Sequence, residues 1–86
     1  MKTVYKYKLR KEHFQEIQLP YGAEIVHVAS QFTEPTIWAL INSNEKGRVT
    51  RKFEIAATGK EVSPSSKHLG VFWINDTELY HLFEIT

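Results

Sequence analysis

Hydrophobic and polar positions along this chain alternate with a period of two, not with the 3.6-residue period of a helix. From Val4 to Leu9, Tyr5, Tyr7 and Leu9 alternate with Lys6 and Lys8, which predicts a strand with one wet face. Arg48 to Ala57 repeats the pattern. Val49, Arg51, Phe53 and Ile55 share one parity, and Thr50, Lys52, Glu54 and Ala56 form the face expected to meet water. Arg51 stands on the apolar side, where its stem can pack while its guanidinium reaches the rim. Glu24 to Ser30 is nearly continuous and β-branched, which predicts a central strand buried on both faces. Pro35 opens the next element, and Thr36 to Ile41 is apolar and strand-like. Asn42 to Gly47 has turn chemistry from end to end, so a hairpin is expected to join the runs on either side of it.

His68 to Ile74 and Thr77 to Ile85 complete the set. Asn75-Asp76 reads as a two-residue hairpin turn between them, and Leu79, His81, Phe83 and Ile85 share one side of the last strand. Glu12 to Leu19 fits a strand entered through a loop, with a short helical turn as the alternative, and Pro20-Tyr21-Gly22 then makes a turn. Glu61 to Lys67, with Ser63-Pro64-Ser65-Ser66 at its centre, is the one long loop. The expected fold is mainly β. It is a single domain over residues 1–86, a small antiparallel sandwich or partly open barrel of six to seven strands, with at most one short helical turn.

Composition narrows the classes of function. The chain is 42% apolar and 24% charged, the balance of an ordinary globular domain. It has no cysteine, which removes disulfides, thiolate zinc ligands and a thiol nucleophile, and fits a reducing compartment. The net charge of +1 points no overall field at nucleic acid or an anionic membrane. Five of the 11 basic residues lie within the first 11 positions, a pattern that suits a solvated sheet edge guarded against pairing. No apolar run is long enough for a signal peptide or a membrane-spanning helix, so the expected location is the cytoplasm.

Candidate chemistry is sparse. His13, His27, His68 and His81 show no metal-ligand spacing, and neither a metal nor a cofactor is expected. His27 and His81 sit mid-strand on apolar elements, as core histidines or as tips on a pocket wall. Asp76, the only aspartate, falls in a turn, and the serines crowd into loops, so no nucleophile–base–acid set stands out. Thr58-Gly59-Lys60-Glu61 lacks the second glycine and the hydroxyl of a phosphate-binding P-loop, although a turn glycine beside Lys60 can still touch an anion. Lys6, Lys8, Arg48, Arg51 and Lys52 with Trp38, Trp73 and the tyrosines suggest a basic strip with stacking rings. The ten acids cancel its field, so single-stranded nucleic acid ranks last among ligands.

Several strings, in order, carry a resemblance. They run from Lys2-Thr3-Val4-Tyr5-Lys6-Tyr7 through Leu19-Pro20, Gly22-Ala23, Ile25-Val26-His27-Val28, Gln31 and Trp38-Ala39-Leu40-Ile41. Arg51-Lys52-Phe53, Ile55, Thr58-Gly59, Leu69-Gly70 and His81-Leu82-Phe83-Glu84 complete them. Together they resemble a family of short proteins of unknown function encoded by bacteriophages and prophages. Members often read Gly-Thr-Gly-His at the glycine turn, where this chain has Ala57-Thr58-Gly59-Lys60. The resemblance implies a phage origin and a bacterial cytoplasm, and it brings no catalytic residues. The expected function is therefore non-enzymatic. The chain would occupy a host protein as a takeover or anti-defence inhibitor, with Trp38, Trp73 or Tyr80 as anchors. The alternative is capture of a small anion such as a signalling nucleotide. Arg51, Lys52 and Lys60 would then neutralise phosphate, and His27 and His81 would line the pocket. A small β domain with free edges is also expected to pair them in a symmetric homodimer.

Overall fold

The computed structural model covers residues 1–86, and every regular element in it is a strand. In chain order these are β1 (Lys2–Lys8), β2 (Phe14–Pro20), β3 (Glu24–Gln31), β4 (Glu34–Asn42), β5 (Arg48–Ala57), β6 (Ser66–Trp73) and β7 (Leu79–Ile85). They form two antiparallel sheets, one ordered β1-β4-β3 and the other β2-β5-β7-β6. The sheets stack as a small sandwich and do not close into a barrel, and Glu12 to Leu19 contributes β2 without any helical turn.

The core lies between the sheets. Ile37, Ala39 and Ile41 of β4 face Phe53 of β5, Phe72 of β6 and Leu82 of β7, closed by Leu9, Leu19, Ala23 and Val28. Directly paired residues share a sheet face. Lys6 and His27 pair with Trp38, so these three lie on the outer face of the three-stranded sheet. The edge strands β3 and β6 come together across the two sheets. A Cβ on Gly70 would lie 3.0 Å from Cβ of Val28, so glycine is what permits this approach. The Ser30 hydroxyl donates to the Trp73 carbonyl along the same seam.

The structure departs from the sequence pattern in five places. Asn42 to Gly47 does not make a hairpin, because β4 and β5 belong to different sheets. Tyr21 N–H donates to Gly47 O (2.9 Å) and ties this link to the β2–β3 turn, while β1 takes the place beside β4. β3 is an edge strand, and a register shift between Ile25 and His27 leaves Val26 and His27 exposed. The link between β6 and β7 is the longer Ile74–Glu78 rather than an Asn75-Asp76 turn. On β5, Glu54 and Ala56 are buried, because the β5–β6 loop folds back over the outer face of the four-stranded sheet. On β7, for the same reason, His81 and Phe83 lie half-buried on that outer face, and Leu82 enters the core.

Candidate functional site

The turn between β3 and β4 holds the two non-glycine residues of the chain that have positive φ. Gln31 pairs with Glu34, which leaves Phe32 and Thr33 as a two-residue hairpin turn. Their φ angles are 52° and 66°, both left-handed, as a type I′ turn requires. Asparagine and glycine adopt this geometry readily, whereas a β-branched threonine there is an outlier. Phe32 is 88% exposed, the most exposed large aromatic in the chain. Basic side chains surround the turn. Lys6 Nζ donates to Gln31 Oε1 (2.6 Å), Lys8 pairs with Glu34 at 3.8 Å, and Arg10 and Lys11 share a surface depression with Thr33. The arrangement is an apolar tip beside four basic side chains, of which Lys8 is paired with Glu34 and Arg10 with Glu12. Beside it the outer edge of β1 is unpaired, with Val4 and Tyr5 half exposed.

A second cluster lies on the outer face of the four-stranded sheet. Glu54 Oε1 accepts hydrogen bonds from Ser63 N–H and Ser66 Oγ, each 3.2 Å, and Oε2 lies 3.1 Å from His13 Nε2. Burial pushes this carboxyl up, but the bonds from Ser63, His13 and Ser66 outweigh burial and hold it below its ordinary value of 4.5. The serines bond the carboxylate rather than an imidazole, so the group is not a nucleophile–base–acid set. It is a clamp that closes the loop over β5. A carboxyl lowered in the folded state contributes stability in full above pH about 4.5 and loses it as pH falls through the folded value. Glu54→Gln is therefore expected to flatten the fall in urea midpoint below pH about 4.5. An unchanged acid limb would remove Glu54 as its cause.

The Arg51 guanidinium is committed to the fold. Nε donates to Glu84 Oε2 (2.6 Å), Nη2 to Glu84 Oε1 (2.8 Å) and Nη1 to Ala23 O (2.6 Å). Lys52 has the opposite parity on β5, and Lys60 borders a depression with Thr58, Gly59, His81 and Phe83. Arg51 and Lys52 border one depression, between the β2–β3 turn and the end of β7, and Lys60 lies apart from them. His27 and His81 do not meet either, because they lie on the outer faces of different sheets. His27 is exposed, with its ring 5.2 Å from Trp38, and His81 touches His68 and Thr58. Neither is a core histidine. Trp73 is 52% exposed at the end of β6, Trp38 is half-buried, and Tyr80 stacks on Phe72 and donates to Glu78. Phe32 escapes the sequence pattern because Phe-Thr carries no turn signal. The clue lay in its position, two residues between apolar runs that pair at once on either side.

These features define a small two-sheet antiparallel protein that holds one bulky aromatic ring in solvent at a hairpin tip. The chain belongs to the family described as a domain of unknown function (DUF7352), whose model matches residues 1–86. No curated protein and no solved structure matches it.

Proposed function

We propose that this is a non-enzymatic, phage-type binding protein that acts by occupying a bacterial host protein, with Phe32 as its anchor. The observation that carries the reading is the left-handed Phe32-Thr33 turn, which holds a bulky ring 88% in solvent at a conformational penalty. A penalty kept in an exposed turn, with no packing gain inside the molecule, suits a residue used between molecules. The partner surface that fits is an apolar pocket with carboxylates on its rim opposite Lys6 and Lys11, since Lys8 and Arg10 are already paired with Glu34 and Glu12. The reading as a sink for a small anion has less support, because Arg51 is already paired with Glu84.

The test is affinity capture of the partner from host cells with the tagged protein. Phe32→Ala is expected to weaken the complex by about 30-fold or more, the effect of removing a hot-spot side chain worth ~2 kcal/mol. The melting temperature should stay within a few degrees of the parent, since the ring touches no core residue. Equal capture by the parent and the variant overturns the assignment of Phe32.

A further inference from the structure

His68 and His81 are not used by this binding reading, and their geometry is specific. His68 on β6 and His81 on β7 share the outer face of the four-stranded sheet, with His68 Nε2 3.1 Å from His81 Nδ1. The tautomers follow from the bonds around them. The Thr58 hydroxyl donates to Leu79 O (3.3 Å), so its oxygen is left to accept from His81 Nε2–H (3.1 Å). The His81 Nδ1 lone pair then points at His68, whose Nε2–H donates to it.

We infer that His68 and His81 form a two-imidazole chelate for a divalent transition cation. At metal–nitrogen bonds of about 2.0–2.1 Å, nitrogens 3.1 Å apart subtend roughly 95–102° at a shared ion. That lies between the right angle of a tetragonal copper or nickel site and the wider angle of tetrahedral zinc. His81 is already in the ligating tautomer, held there by Thr58 as a hydrogen-bonded support fixes a metal-bound histidine. To bind, His68 carries its ring proton on Nδ1 instead of Nε2, and the two rings turn from facing each other so that both lone pairs meet at one ion. No third histidine or carboxylate joins the group. The remaining positions go to water or an anion, and Lys60, in the depression beside His81, favours an anion there. Imidazole donors select copper, nickel and zinc over magnesium and calcium.

The test is calorimetric titration of the full chain with zinc chloride, copper(II) chloride and magnesium chloride. One zinc or copper per chain is expected, copper the tighter, with no response to magnesium. His68→Gln or His81→Gln should abolish binding, Thr58→Val should weaken it about tenfold or more, and His13→Gln and His27→Gln should leave it intact. Nitrogen-15 spectra of the parent's imidazoles give a readout free of folding effects, because zinc should move His68 and His81 and spare the other two. Absence of zinc and copper binding, binding that survives both chelate variants, a magnesium response, or shifts centred on other histidines overturns the site.

Discussion

Arg51→Met is expected to lower the melting temperature by roughly 10–20 °C. The Arg51 and Glu84 side chains are 19% and 16% exposed, and the bidentate pair faces into the sandwich. The third donor, Nη1, reaches Ala23 O at the start of β3, so this guanidinium ties β5 and β7 to the opposite sheet. Its hydrogen bond to Glu84 raises its pKa and outweighs burial, so the guanidinium stays charged at any ordinary pH. Methionine leaves the partly buried Glu84 carboxylate, at the border of a surface depression, without its partner. Breaking a buried pair from one side costs about 3–5 kcal/mol, and the residual exposure here brings that to ~2–4. In a domain of this size each kcal/mol shifts the transition by about 4–8 °C. Adding Glu84→Leu should recover much of the loss, because two apolar groups leave no unpaired charge. Thermal denaturation followed by circular dichroism decides the matter. A drop of less than a few degrees for Arg51→Met would show that the pair is solvated and of little weight.

The second large effect has the opposite sign for stability. The double variant Phe32→Asn, Thr33→Gly should raise stability by about 1–2 kcal/mol while it abolishes partner capture. A non-glycine residue in the left-handed region costs roughly 1–2 kcal/mol. Asn-Gly suits both positions of a type I′ turn, so the gain comes from relieving the backbone without changing any core contact. The melting temperature should rise by about 5–10 °C. The combination of gain and loss distinguishes a strained anchor from a strained accident: stabilisation without loss of capture would mean the turn is merely imperfect. An unchanged m-value in chemical denaturation would show that the surface exposed on unfolding is the same in both proteins.

The alternation in β1, β5 and β7 made an all-strand antiparallel sandwich legible, because a side chain's parity depends only on its own backbone. The inward parity of Val49, Arg51, Phe53 and Ile55 could be read in the same way. Arg51 was visible as a stem on the apolar side, but its partner was not, since Glu84 lies 33 residues away. Parity alone puts Glu54 on a wet face, because it says which residues share a face and not whether something covers that face. The covering loop is held by Ser63 and Ser66, whose composition signalled only a loop. The Phe32 turn leaves no local signal because its conformation is imposed by the pairing of β3 with β4, against local preference.

Local pattern by itself thus determined that the chain makes strands, roughly where they begin and end, and which residues share each face. Tertiary structure alone decided that β4 leaves β5 for β1, that β3 is an edge, that Glu54 is clamped under a loop, and that His81 meets His68 instead of His27. The physical reason is range. Alternation arises within a strand, whereas pairing, coverage and convergence are set by which distant segments bury the most apolar surface together. That competition leaves no mark on any short stretch of sequence.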